Sequence, residues 1–501
     1  MGGMKMLFSS MIFLWVFLPI VIIGNFAFSV IQFENIEKRM RVKNIFLLIF
    51  SIVFYAWGGI YYVLIMIFSI LLNFFGGYIL EKKEKKKNVR KYRLFVILFL
   101  NLAMLFYFKY FNMLIVMIEA IMQADKGFST VWTTMMSMER TGNLNIKDIV
   151  LPIGISFFTF QSMSYVIDLY MGKVSLQKDI INFALYVSLF PQLIAGPIVK
   201  YSDVSEQIEN RSESLELFVS GQKRFCYGLG KKVIIANTFA EIADQIWALE
   251  TTTLGTAVAW FGAIAYTIQI YYDFSGYSDM AVGIGKMLGF QFKENFNYPY
   301  TSLSIQEFWR RWHISLSTWF KEYIYIPLGG NRKGNLPTYM NIFIVFLLTG
   351  IWHGANFTFL AWGIFFAILQ IIERLFLKKI LDKNPIKIIN WIYMMLMVII
   401  GWVYFRSENI LQANEFIKQM FYFTTSENNI LTFLSMKVII LFMTAIICTG
   451  FLQRAMKNIY VRIKDKFTME IFDFSLQGFI LIYSIFMIMS GTYNPFIYFQ
   501  F

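Results

Sequence analysis

Residues 336–372 read LPTYMNIFIVFLLTGIWHGANFTFLAWGIFFAILQII. The run is nearly all apolar. It is too long for one crossing, because about 20 helical residues span a ~30 Å hydrocarbon layer. Arg332-Lys333 flank one end and Glu373-Arg-Leu-Phe-Leu-Lys-Lys379 the other. Both ends are basic, so the segment goes out and returns as two helices. His353 lies 17 residues beyond Leu336, roughly 25 Å of helix at about 1.5 Å per residue. It is therefore expected deep in the membrane, toward the outer half, at the tip of a helical hairpin. Gly350 and Gly354 bracket it and permit close backbone approach.

The rest of the chain has the same character. Of 501 residues, 57% are hydrophobic and 15% charged, with a mean hydropathy of +0.57; a soluble domain carries about 25% charged residues. Apolar runs of spanning length recur throughout, so the fold class is an all-α polytopic membrane protein with roughly 11–13 transmembrane or re-entrant helices. Residues 1–501 read as a single domain. Aromatic residues reach 19%; some form interfacial belts and many pack helix against helix. The net charge of +14 clusters in short loops, which points to membrane orientation and not to nucleic acid. Cys226 and Cys448 are far apart and fit no metal spacing.

The segments follow in order. Leu7–Phe33 reads as a retained first helix. Asn44–Leu80 reads as a hairpin interrupted at Gly58-Gly59. Arg93–Met122 crosses outward into a loop, Gln123–Asp148, that lacks positive bias. Ile149–Met171 and Ile180–Val199 are apolar, and Tyr201–Lys232 is a polar amphipathic region at the cytoplasmic interface. Thr252–Tyr272 is a span, followed by Gly276–Phe292 as a short or broken helix. Asn295–Asn335 does not span. Ile388–Phe405, Val438–Leu452 and Phe472–Ser490 complete the spans. The basic clusters Glu37–Lys43, Lys82–Lys87, Lys378–Lys387 and Arg454–Lys466 belong in the cytoplasm, with both termini outside.

The chain has two histidines, His313 and His353. Histidine trades protons near neutral pH, and an ionisable group at membrane depth is a functional candidate by default. Within Phe308–Phe320, a helical reading places Trp309, Trp312 and His313 on one face, with Arg310 turned elsewhere, within reach of phosphate. The alternative is an interfacial anchor helix needing no chemistry. For His353 the alternative is a structural histidine bonded to a neighbouring helix; desolvation would keep it neutral, as a general base requires. Asp273 and Tyr277, in Asp273-Phe-Ser-Gly-Tyr-Ser-Asp279, either bind a polar ligand or cap a helix. Lys109 is expected to snorkel. No Gly-Lys-Ser/Thr phosphate loop and no Gly-x-Ser-x-Gly elbow occurs, and a dedicated zinc site lacks its ligands.

Five spaced motifs carry a resemblance. They are Phe190-Pro-Gln-Leu-Ile-Ala-Gly-Pro197, Asp273-Phe-Ser-Gly-Tyr-Ser-Asp-Met-Ala281, Trp309-Arg-Arg-Trp-His313-Ile-Ser-Leu-Ser, Tyr325-Ile-Pro-Leu-Gly-Gly-Asn-Arg332 and Trp352-His-Gly-Ala-Asn356. Together with the terminal Phe496-Ile-Tyr-Phe-Gln-Phe501, the chain resembles the membrane-bound O-acyltransferase family, in the branch containing the alginate O-acetyltransferase membrane subunit. The motif-bearing core is about 148–372. The resemblance implies helices around a central funnel, with an acyl donor reaching it from the cytoplasm. It implies His353 and His313 as catalytic residues, and Trp309, Trp312, Asp273, Tyr277 and Asn356 as substrate-binding residues. It further implies no bound cofactor, acetyl-CoA as donor substrate, a cell-envelope polysaccharide as acceptor, an exported SGNH-type partner, and a multi-pass place in the plasma membrane. On this reading His353 is expected to be the base, and His313 is expected to position the donor or its thioester carbonyl as a hydrogen-bond donor. Other readings stay open: D-alanyl or other acyl transfer to a cell-wall polymer, a transporter of lipid-linked sugars, and a scaffold for a polysaccharide synthase.

Overall fold

The computed structural model of the chain describes residues 6–82, 87–122, 133, 135–138, 151–194, 196–423, 425, 429–451, 466–491 and 493–496. A π-helical stretch, Phe13–Phe17, leads into α1 (Leu18–Val30). Then come α2 (Ile36–Ala56), α3 (Ile60–Glu81), α4 (Lys87–Met122), α5 (Ile155–Tyr170), α6 (Ile180–Ser188), α7 (Tyr201–Glu209), α8 (Leu215–Gly230) and α9 (Asn237–Trp247). The second half holds α10 (Thr256–Met287), α11 (Ile305–Arg311), α12 (Ile314–Phe320), α13 (Asn335–His353), α14 (Phe357–Ile372), α15 (Lys387–Arg406), α16 (Ile410–Phe421), α17 (Met436–Ile446) and α18 (Lys466–Ser490). Among the described residues the structure is all-α, and seven helical segments are long and apolar enough to cross a membrane. Their large apolar side chains face outward, among them Ile23, Leu64, Phe95 and Phe479. So wide an apolar exterior suits hydrocarbon, not water.

The two hairpins form where the sequence places them. Asn35 caps α2 by accepting from the Lys38 N–H, and the chain reverses at Gly58-Gly59 into α3. Likewise α13 and α14 flank a short turn after His353, where the Asn356 side chain accepts from the Thr358 N–H and starts α14.

Three expectations are corrected. Thr252–Tyr272 and Gly276–Phe292 are not a span and a broken helix: one helix, α10, runs unbroken from Thr256 to Met287. Its glycines are contact points. A Cβ on Gly276 would sit 2.8 Å from the Gly228 carbonyl oxygen, and one on Gly283 2.6 Å from the Gly221 carbonyl oxygen. The backbones of α8 and α10 therefore touch at two levels, the small-residue packing that lets membrane helices approach closely. Consequently α8, from the region expected to lie at the interface, is packed against the core. Finally, Ile180–Val199 is not one span: α6 stops at Ser188 and a separate single turn follows at Phe190–Leu193. The break falls at Leu189 (φ -53°, ψ 112°); Pro191, which has no N–H, sits in the first turn of the new element, and the Phe190 N–H goes to the Ser51 hydroxyl at 3.2 Å.

Residues from the two ends of the sequence meet on α10. Tyr277 is stacked on Phe8 (ring centroids 4.4 Å apart) and packs at a tilt against Phe496 (4.5 Å). Asn494 donates to the Ser9 hydroxyl at 3.0 Å. Most of the Gln123–Asp148 loop, residues 83–86 of the Lys82–Lys87 cluster, residues 454–465 of the Arg454–Lys466 cluster and the terminal residues 497–501 lie outside the described residues.

Candidate active site

A cavity of about 340 Å³ lies between α13, the α11–α12 segment and the far end of α14. One face of α13 lines it through Ile342, Phe346, Thr349 and His353, at the three- and four-residue steps that share a helical stripe. From α11–α12 come Trp309, Trp312 and His313. The lining residues Arg310 and Arg374 are exposed and mark its mouth, whereas both imidazoles are buried. The structure thus brings together four of the seven residues singled out from sequence.

His353 ends α13, and the placement of that end is tightly determined. A Cβ on Gly350 would lie 2.4 Å from the Phe359 carbonyl oxygen, and one on Gly363 2.6 Å from that of Phe346. The two helices therefore cross backbone to backbone one turn before the histidine. The last carbonyls of a helix lack internal donors. Here α4 supplies them: Tyr110 donates to the Ile351 carbonyl at 2.6 Å, and the Lys109 ammonium donates to the Trp352 carbonyl. Lys109 does not snorkel, because that carbonyl, the Ser156 hydroxyl and the Trp352 ring all meet it inside the protein. The imidazole itself stands edge-on to Trp362 (5.1 Å) and Phe405 (5.0 Å). Its Nδ1 is buried with no hydrogen-bond partner among the described residues.

His313 is held differently. Helix α11 ends at Arg311, Trp312 is extended, and His313 has φ 44°. The expected continuous helix through Trp309, Trp312 and His313 is therefore broken at the histidine. The cause is pairing with a distant segment: Asn297 N–H bonds to Arg311 C=O and Ile314 N–H to Asn295 C=O, each at 2.9 Å. Left-handed backbone in a non-glycine residue is uncommon and persists where its surroundings enforce it.

The Asn295 side chain also sets the tautomer. The Ser315 backbone N–H and hydroxyl both reach its Oδ1, at 3.1 and 2.8 Å. A backbone N–H can only meet an acceptor, so this atom is the amide oxygen. His313 Nδ1, 3.1 Å from the same atom, must then carry the proton and donate. Nε2 is left with the lone pair, buried and unpartnered among the described residues. Burial holds the His313 pKa far below its ordinary value, at about 3, so the ring is neutral. A neutral Nε2 accepts, and the expected donation from His313 to a thioester carbonyl does not fit this tautomer. The Ser315 hydroxyl in turn accepts from the Ile198 N–H at 3.0 Å, which ties the Phe190–Pro197 motif to the histidine.

The other three residues lie elsewhere. Asp273 forms a buried ion pair with Lys232 at 2.6 Å. Tyr277 is enclosed by Phe8 and Phe496. Asn356 caps α14 and donates to the Met138 and Glu408 carbonyls, both at 3.0 Å. None of the three lines the cavity. The sequence reading missed Asn295 and Glu373. The latter is fully buried and accepts from the Ile305 and Gln306 N–H groups, so it caps α11 from the end of α14. A local signal existed for neither, since both act across the fold.

Buried polar atoms without a partner are rare in folded proteins; among the described residues those on the cavity's lining side chains are Trp309 Nε1, His313 Nε2 and His353 Nδ1, with Trp352 Nε1 and Trp362 Nε1 close by. Among the described residues no three His, Cys, Asp or Glu side chains group as metal ligands.

Comparison with known proteins agrees with this arrangement. The model of the membrane-bound O-acyltransferase family matches residues 170–413. The chain is 43% identical to the probable alginate O-acetylase AlgI of Pseudomonas putida over 420 residues, 83% of this chain and 81% of that protein. It is 34% identical to the peptidoglycan O-acetyltransferase of Helicobacter pylori over 452 residues, 83% and 80% of the two chains. Similarity to the teichoic acid D-alanyltransferase of Bacillus subtilis is 28% over 239 residues and covers 45% of this chain and 60% of that one. With its hairpin-tip histidine, its second histidine in the same cavity and relatives matched over most of its length, this chain belongs to the membrane-bound O-acyltransferase family.

Proposed function

We propose that this membrane O-acetyltransferase takes its acetyl group from acetyl-CoA at the cytoplasmic face and delivers it toward hydroxyls of a cell-envelope polysaccharide. The observation that carries the reading is one cavity with both imidazoles at its buried end and Arg310 and Arg374 at its mouth. A cationic mouth suits the phosphates of coenzyme A. The mouth also lies at the end of the α13–α14 hairpin where the basic residues cluster, the cytoplasmic side by the positive-inside rule.

In the proposed step His353 takes the proton of the incoming hydroxyl as its oxygen bonds to the acetyl carbon. The carbon–sulfur bond breaks, and the thiolate leaves with the proton returned from the imidazolium. A positioned base contributes about 10²–10⁴-fold. Trp309 Nε1–H, unpartnered on the cavity wall, is suited to donate to the carbonyl oxygen as charge develops there. His313 Nε2 accepts from a substrate N–H or O–H and holds that group in line. An exported SGNH-type protein would complete delivery to the polymer, and the plasma membrane is the place where both faces are available.

The test is alkali-released acetate from the envelope polysaccharide of cells lacking this chain. Acetate is expected to fall to background and to return with the intact gene, and isolated membranes are expected to take label from [¹⁴C]acetyl-CoA. Unchanged acetate, or label accepted only from a D-alanyl carrier protein, would overturn the proposal.

A further inference from the structure

A second pocket, about 430 Å³, opens where α1 ends and α2 begins, against the start of α8. It is separate from the cavity of the histidines and shares no lining residue with it. Its polar side holds Arg39, Lys43 and Arg211 with a single carboxylate, Glu213. That carboxylate is already engaged by three closer donors. It accepts from Lys43 at 2.7 Å, Ser29 at 2.8 Å and Asn25 at 3.0 Å. Lys43 is thereby neutralised, and two guanidinium groups remain.

Arg211 is 5% exposed. Its Nη1 donates to Asn44 at 2.6 Å and its plane lies over the Phe290 ring. Its Nε and Nη2 have no hydrogen-bond acceptor among the described residues, and the Nε of Arg39 has none either; the nearest carboxylate oxygen to Arg211 Nε is 4.0 Å away. A buried guanidinium with unmet donors is costly. The acceptor that satisfies two neighbouring guanidinium forks is an oxyanion with several oxygens, phosphate above all.

The pocket's other side fixes what carries the phosphate. Phe26, Ile36 and Leu215 line it and are 52%, 62% and 74% exposed. Phe26 stands near the end of a segment able to span a membrane, Phe13–Val30, and Ile36 and Leu215 open α2 and α8 beside it, the depth at which headgroups meet acyl chains. We infer that this pocket binds the phosphate of an anionic membrane lipid, with Arg39 and Arg211 on the headgroup and Phe26, Ile36 and Leu215 against the chains. Free phosphate compounds, coenzyme A included, share the anion but have nothing to place on that apolar side.

The experiment is native mass spectrometry of the detergent-purified full chain with added phosphatidylglycerol, phosphatidylcholine or coenzyme A. Phosphatidylglycerol is expected to be retained over phosphatidylcholine, and Arg211→Gln to lower that retention about tenfold, the loss of one charge-assisted bond. Arg211 is buried, so Arg39→Gln, at a half-buried position, serves as the second variant. It is expected to act in the same direction, with the melting temperature of each variant recorded. Retention of phosphatidylglycerol unchanged in a folded Arg39→Gln protein would overturn the inference. So would coenzyme A binding that falls in both variants while lipid retention does not, which would assign the pocket to a soluble phosphate.

Discussion

The two histidines line one cavity, but different forces hold them. His313 is fixed by hydrogen bonds: Asn295 sets its tautomer, and paired backbone segments hold it at φ 44°. His353 is fixed by shape. Aromatic edges surround its ring, and its helix is located by a backbone crossing at Gly350 and by donors from α4. A hydrogen-bonded imidazole has one nitrogen committed and one defined task. An imidazole held by packing alone keeps its Nδ1 uncommitted, which suits a group that must take up and release a proton. The contrast teaches that the hydrogen-bonded histidine and the proposed base are two different residues, each located by its own means.

The predictions press on that contrast. The largest effect belongs to His353→Ala, which should reduce acetyl transfer by about 10²–10⁴-fold, the worth of a positioned base, with membrane insertion intact. His353→Gln should be no better, since an amide cannot take the proton. Near-normal polysaccharide acetylation in either variant would remove His353 from the role.

Next comes Gly350→Val. Added atoms would meet the Phe359 carbonyl, 2.4 Å from the Cβ position, and force the hairpin apart. Transfer should fall about 10²-fold, as expected for a small misplacement of a reacting group. Gly478→Ala, with nothing within 4 Å, should be silent by the same assay. If Gly350→Val were equally silent, shape would not be what locates His353.

His313→Gln should retain part of the activity, about one tenth, because an amide oxygen can still accept. His313→Leu should not. Equal and complete loss from Gln at both histidines would erase the distinction, and loss confined to position 313 would reverse it. Stability offers a second reading. The buried His313 takes up no proton until about pH 3, whereas unfolded histidine titrates near about 6.5. The unfolded state binds more protons in between, so stability should drop as pH falls from about 6.5 toward 3. Thermal melting of His313→Leu should show a shallower slope across that window.

The smallest effect is expected at Lys109. Lys109→Met removes the donor on the Trp352 carbonyl and should slow transfer about threefold to tenfold, the range of a helix-terminal charge interaction. Rescue by Lys109→Arg, scored as kcat at unchanged KM, would mark it as a positioning residue. A fall in expression with kcat unaltered would mark it as packing only.

Both hairpins were legible in the sequence because charge and length act locally: a basic end, an apolar run of double length and a glycine break suffice. His353 followed from that reading. The continuity of α10 was not legible, since glycines that read as breaks become contacts once Gly221 and Gly228 lie opposite them. The break at His313 was hidden for a similar reason. Its residues favour helix alone, and only pairing with Asn295–Asn297 unwinds them. Lys109 and Asp273 were misjudged alike, because snorkelling and capping are what isolated helices do, whereas here the partners, Trp352 and Lys232, come from distant sequence.

The sandwich around Tyr277 has a consequence for biogenesis. Phe8 is made long before Phe496, and the Ser9–Asn494 bond joins residues 485 apart. Helix α10 is therefore inserted with one side still uncovered, and it stays so while the remaining helices are made. The closing contact is available only once Asn494 and Phe496 have been made, so a product cut short before Asn494 would carry an open seam along α10. That seam is where quality-control proteases in the membrane should find incomplete copies.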